Sequence, residues 1–165
     1  MTNDQRLIRT RIAPSPTGLF HIGTARTALF NYLFAKQNQG EFLVRIEDTD
    51  LVRSKPEYEI DILEGLKWLG LDWSGEITRQ SQRQERHLAA VDKLIEHGQA
   101  YRKDGAVWFK VPEDETVIFN DLIRGEVKFE TKDLNDFVIV RSDGSPIFYL
   151  VGIVDDFEMG ITHVI

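Results

Sequence analysis

The residues best suited to chemistry lie between Pro14 and Thr24. Pro14, Pro16 and Gly18 make a loop that can join neither a helix interior nor a sheet. His21-Ile22-Gly23-Thr24 follows, just where a helical pattern begins. A helix N-terminus offers unpaired N–H groups and a partial positive charge, and so suits a phosphate. Gly18 and Gly23 lack a Cβ, so a nucleotide can lie against the backbone there. His21 can donate a hydrogen bond to phosphate oxygens whose charge grows in a transition state, and Thr24 adds a hydroxyl at or near the N-cap. Taken alone, the tetrapeptide more often describes a tight loop, a cap and a packing histidine, because short motifs recur by chance. It is neither a Gly-Lys-Ser/Thr phosphate loop nor a G-x-G-x-x-G turn.

Those residues need a strand before them and a helix after. Leu7–Ala13 reads as a buried strand. A helix is expected from about Thr24 to Gln39, with Ala28, Leu29, Tyr32, Leu33 and Ala35 or Lys36 as its apolar stripe and Gly40 as the residue just past its end. Glu41–Ile46 follows as a second strand, and the helix between is long enough for a right-handed parallel crossover. Ser54 is placed to cap a helix from about Lys55 or Pro56 to Leu69, stopped by Gly70. Ser81-x-x-Gln84 has the capping-box pattern ahead of a helix carrying Leu88, Val91, Leu94 and Ile95 and ending at Gly98. Beyond Ala106 come short β-rich runs, Val107–Val111, Thr116–Phe119, Glu126–Phe129 and Phe137–Arg141, with a turn at Asp143-Gly144-Ser145. The long apolar run Ile147–Val154 reads as a central strand buried on both faces. No internal repeat breaks this order.

Composition narrows the classes. In 165 residues, 42% are hydrophobic and 28% charged, as in a globular protein and unlike a disordered chain. There is no cysteine, which excludes disulfides, cysteine nucleophiles and cysteine-ligated zinc. No apolar run approaches a membrane span, and the opening MTNDQRLIRT lacks an apolar signal core, so a cytoplasmic location is expected. The net charge of −7 is uneven. Residues 1–40 carry Arg6, Arg9, Arg11, Arg26 and Lys36 against Asp4 alone, leaving the acidic excess to residues 41–165.

Set in order, these segments carry a family resemblance. Arg11-Ile12-Ala13-Pro14-Ser15-Pro16-Thr17-Gly18 with His21-Ile22-Gly23-Thr24 resembles the first signature of class I aminoacyl-tRNA synthetases, in its glutamyl-tRNA synthetase form. Arg45-Ile46-Glu47-Asp48-Thr49-Asp50 is similar to that family's second-strand motif. Leu63–Leu71, Gln80-Ser81-x-Arg83, Asn120–Gly125 and Val154–Ile165 continue the series, so the resemblance spans nearly the whole chain.

The resemblance implies an α/β, Rossmann-like nucleotide-binding fold, incomplete here, with a small β-rich linking subdomain. Its expected parts are residues 1–100 as the first half of the catalytic domain, 101–140 as a shortened connecting subdomain that meets the acceptor end, and 141–165 as a returning strand. It implies an ATP-dependent ligase that activates glutamate as glutamyl-adenylate and transfers it to the 3′ end of tRNA(Glu). The partners implied are thus ATP with Mg²⁺, L-glutamate and tRNA(Glu). Position by position, Pro14, Thr17, Gly18, His21, Gly23 and Thr24 fall on the ATP-binding signature, with His21 and Thr24 as its catalytic members. Arg11, Ala13, Ser15, Glu47, Phe148 and Gly152 fall on positions that face the amino acid, with Arg11 suited to grip a carboxylate and Glu47 to hold an ammonium. Magnesium is carried largely by the ATP phosphates in this family, so Asp48 and Asp50 read as a turn or cap network and no metal ligand is assigned.

Three departures accompany the resemblance. The family's second signature, a Lys-rich loop that stabilises departing pyrophosphate, is not among these residues. Only Arg102–Gly105 separates Tyr101 from the next strand, where many members carry a longer insertion, often zinc-bearing; no zinc is expected here. Phe148 and Gly152 stand where many members have a tyrosine and an asparagine, a loss of polar groups expected to alter glutamate recognition. Two other readings stand beside this one: a non-catalytic nucleotide- or tRNA-binding module, and a related enzyme that shares the first signature and glutamylates a tRNA base.

Overall fold

The computed structural model describes residues 7–165, and these form two compact bodies. One comprises the described residues up to Gln84 together with Asp155–Ile165; the other is Glu85–Val154. Asp4 and Arg6 of the basic opening segment, and most of the stretch read for a signal core, lie outside the described residues.

The first body is a parallel α/β layer. Its elements are β1 (Arg9–Ile12), α1 (Ile22–Gln37), β2 (Glu41–Ile46), α2 (Pro56–Trp68) and β3 (Thr78–Arg79). The strands lie in the order β1-β2-β3, all parallel, with Arg9 opposite Glu41 and Arg45 opposite Thr78. β2 matches its expected span and is the central strand. Its Phe42, Val44 and Ile46 are buried with Ile12, Ala28, Ala35, Ile62, Leu66 and Leu71 in one core. α1 lies close to β1 because its buried face is made of small residues, Ala28, Asn31 and Ala35. There Thr10 Oγ1 donates to the Asn31 carbonyl at 2.8 Å. Leu29 and Leu33, expected in the buried stripe, are exposed instead.

Helix ends differ from expectation in instructive ways. α1 is capped by Asn38, and Gln39, not Gly40, takes the positive φ (54°). Gly40 answers a different need: a Cβ there would sit 2.3 Å from the Ile8 carbonyl oxygen, so only glycine lets the chain pass β1. α2 has Lys55 as its N-cap and Pro56 in its first turn, and Ser54 supplies no cap. Its N–H donates to the Asp50 carbonyl. Gly70 does end α2, at φ 70°. Ser81 forms no capping box: it lies in a short 3-10 turn (Gln80–Gln82) with its N–H and hydroxyl both turned to Asp48.

The second body packs α3 (Gln84–Glu96, which begins one residue before it) against an antiparallel sheet. β4 (Ala100–Lys103), β5 (Ala106–Phe109) and β8 (Phe137–Val140) lie in the order β4-β5-β8. Val91, Ala100, Val107, Ile139, Val140 and Leu150 form its core. β4 and β5 are joined by two residues, Asp104 and Gly105, both at positive φ (51° and 79°), as a tight type I′ hairpin requires. β6 (Thr116–Asp121) and β7 (Gly125–Glu130) pair as a separate ribbon.

Ile147–Val154 is not a strand. It opens α4 (Phe148–Glu158). Leu150, Val151 and Asp155 are buried while Phe148, Tyr149, Ile153 and Phe157 are exposed, a helical spacing. A short apolar run bounded by a turn fits a buried strand or a buried helix equally, and only the acidic residues that extend it decide between them. The chain returns to the sheet later: Thr162 and His163 donate their N–H groups to the Arg9 carbonyl at 3.0 and 3.2 Å, on β1. Among the described residues, no helix is long and apolar enough to cross a membrane.

Candidate functional site

The Pro14–Thr24 loop is tied down at three points. The Pro14 carbonyl accepts the Glu47 N–H at 2.9 Å, at the end of β2. The Pro16 carbonyl accepts the Lys55 N–H at 3.0 Å, at the start of α2. Asp61 on α2 accepts the Phe20 N–H at 2.6 Å. The Phe20 ring also lies where a side chain at position 65 would be, since a Cβ on Gly65 would fall 2.3 Å from it. The loop is therefore a rigid rim, and with the start of α1 it encloses a pocket of about 210 Å³ lined by Pro14, Ser15, Thr17, Gly18, Leu19, His21, Thr24 and Ile62.

His21 is the N-cap of α1, a place expected for Thr24. Its Nδ1 accepts the Gly23 N–H at 3.1 Å, so that nitrogen carries no proton in this arrangement. The ring proton then belongs on Nε2, which lies 3.3 Å from Thr24 Oγ1. Histidine lies outside the usual N-cap set, which is why the sequence pointed to Thr24. No acidic residue occupies the first turn of α1, so nothing there repels an anion.

A second cluster sits in the same body. Arg11 donates from Nε and Nη2 to the two oxygens of Asp156, at 2.9 and 2.8 Å. Arg45, 1% exposed, donates from Nη1 to Asp156 at 2.5 Å and from Nη2 to Glu47 Oε1 at 2.9 Å. Two cations and two anions thus alternate, which is how buried charges are tolerated. Burial holds the Glu47 carboxyl above its ordinary range, against the opposing pull of the Arg45 bonds and charge and of Arg11. Next to it, buried Asp155 accepts from Gln80 Nε2 at 2.9 Å and Arg83 Nε at 2.7 Å, and so ties the last turns of α4 to the Gln80–Gln82 turn and the residue after it.

The structure thus places Pro14, Ser15, Thr17, Gly18, His21 and Thr24 around one pocket, with Gly23 bonded to the His21 ring. Arg11 and Glu47 fall in the ion cluster, and Ala13 lies between Ile12 and the loop. Phe148 and Gly152 lie on α4 within the other body. Asp48 binds Ser81, and Asp50 accepts the Val52 and Arg53 N–H groups and the Arg53 guanidinium, which holds its carboxyl below the usual range. Among the described residues, no group of three or more His, Asp or Glu could hold a metal. Sequence reasoning assigned no separate role to Arg45 or Asp156; the Asp155-Asp156 pair in the final motif was the available signal.

The family described as class I tRNA synthetases (E and Q), catalytic domain, matches residues 7–106 and 103–165. The chain belongs to this family. A glutamate–tRNA ligase of Aquifex aeolicus is 47% identical over 96% of the chain and 42% of its own length. Glutamate–tRNA ligase 2 of Neorickettsia sennetsu is 53% identical over 94% of the chain and 38% of its own length. A glutamate–tRNA ligase from Elizabethkingia meningosepticum, solved with its amino acid, is 32% identical, with a TM-score of 0.85 over 96% of this chain and 43% of that one. The chain thus spans about two fifths of the length of these family members.

The relatives differ in length over the stretch they share with this chain. The Aquifex match runs over 201 positions, more than the chain's 165 residues, so that relative carries residues with no counterpart here. The Neorickettsia match runs over only 156. The two family segments meet at 103–106, which is the Asp104-Gly105 hairpin turn.

Proposed function

We propose that the first body binds ATP and L-glutamate for a glutamate–tRNA ligase. The observation that carries this reading is one loop, Pro14–Thr24, that rims an anion-suited pocket at the α1 N-terminus while its Pro14 carbonyl is bonded to Glu47 of the Arg11–Glu47 cluster. The pocket suits the phosphates of ATP, with His21 and Thr24 as its polar members and Gly18 offering open backbone, while Gly23 packs under the His21 ring instead. Magnesium enters with ATP as part of the substrate. Arg11 receives a carboxylate of glutamate and Glu47 its α-ammonium, with Ala13 and Ser15 beside them. The opposed charges fix the orientation of an amino acid.

In the first step the glutamate α-carboxylate attacks the α-phosphorus of ATP. The bond to the β-phosphate oxygen breaks, and pyrophosphate leaves with that electron pair. In the second step the terminal ribose hydroxyl of tRNA(Glu) attacks the acyl carbon of the adenylate, loses its proton and expels AMP. Both steps rest on positioning and charge neutralisation and need no protein nucleophile.

Glutamate-dependent ATP–pyrophosphate exchange, with tRNA present, tests the reading. Exchange that is lost in His21→Ala is the expected result. Binding of an ATP analogue with no exchange, at any glutamate concentration, would overturn it in favour of a non-catalytic nucleotide-binding module.

A further inference from the structure

Asp156 has two neighbours of opposite sign to itself and none of its donors or acceptors is shared with the ATP pocket. Its carboxylate takes both N–H groups along one edge of the Arg11 guanidinium and also binds Arg45 Nη1. Arg45 reaches the other way to Glu47 with Nε and Nη2, at 3.3 and 2.9 Å. A guanidinium has a second edge, Nη1 with the outer N–H of Nη2. Among the described residues, Arg11 Nη1 meets no acceptor. The direction of that open edge is therefore set by Asp156, and Asp156 is itself held by Arg45.

We infer that Asp156, anchored by Arg45, is a positioning residue that clamps the Nε/Nη2 edge of Arg11 and so presents the opposite edge to a substrate carboxylate. This rests on the reading of Arg11 and Glu47 as glutamate-binding residues. The same Arg45 holds Glu47, so the two groups that receive the amino acid share one frame. Removing the Asp156 charge leaves Arg11 with Glu47 as its nearest acidic partner in the cluster. The two binding groups then satisfy each other and neither is left for the ligand. The pocket rimmed by Pro14–Thr24 makes no contact with Asp156, so its ligand is unaffected.

The test is to titrate the full chain, parent and Asp156→Asn, with L-glutamate and separately with a non-hydrolysable ATP analogue. Asp156→Asn is expected to weaken L-glutamate by about tenfold, the loss of one charge-assisted contact, while the analogue's affinity stays within roughly twofold. Asp156→Glu keeps the charge and is expected to recover part of the loss. Equal L-glutamate affinity in parent and Asp156→Asn would overturn the positioning role and leave the reading of the site standing. A parent that binds the analogue but not L-glutamate would overturn both. If Asp156→Asn loses its cooperative melt, Asp156→Glu decides: a selective fall in L-glutamate affinity supports the role, and parental affinity overturns it.

Discussion

His21 has two tasks in one ring. Nδ1 caps α1 and Nε2 faces Thr24 at the pocket. The tasks separate by substitution. His21→Ala removes the cap and should cost about 1 kcal/mol of stability, read from urea unfolding. His21→Asn restores a side-chain cap of the preferred type, so its stability should return to near the parent while affinity for an ATP analogue stays low. Glu47 makes a second prediction at this scale. Burial raises its pKa in the folded state. A carboxyl so raised favours the fold below its unfolded pKa, and that contribution is lost as pH rises through the folded value. Glu47→Gln should therefore gain stability relative to the parent as pH climbs from about 4 toward 7, across and above the ordinary carboxylate range. Unfolding midpoints measured across that interval check the sign.

At the scale of elements, the strand–loop–helix–strand unit was readable because each piece carried its own signal. Alternating and continuous apolar residues marked β1 and β2, prolines marked the loop, and β2 came out residue for residue. The helix ends were less readable because their residues answer to neighbours far away in sequence. Gly40 looks like a helix stop, yet its lack of a side chain serves the passage of β1. Gly40→Ala should therefore cost roughly 2–3 kcal/mol, as a forced contact with backbone does, and far more than a helix-end effect. Thermal melts would show it. α4 was misread for a similar reason, because the partners that bury its Asp155, Gln80 and Arg83, lie more than seventy residues earlier. The residues gathered around the Pro14–Thr24 pocket were legible as a motif, whereas the setting of Asp156 was not: its partners Arg11 and Arg45 are brought beside it only by the fold.

Across the whole molecule, two bodies each have a core of their own, and the Asp104-Gly105 turn sits at the tip of a hairpin in the second. Lys103 and Ala106 pair directly across it. A segment inserted between Asp104 and Gly105 enters and leaves at one point, so the ladder beneath it is preserved. Lengthening the loop by about six Gly/Ser residues should cost only about 1 kcal/mol in closure entropy, and leave L-glutamate affinity at the parental value. Denaturant midpoints and a titration test the two halves of that statement. The turn has an evolutionary consequence. A module whose two ends already touch can be gained or lost by a lineage in a single genetic event, with no compensating change in the strands that carry it. Long and short members of the family can then diverge at this tip while selection on the Pro14–Thr24 loop proceeds undisturbed.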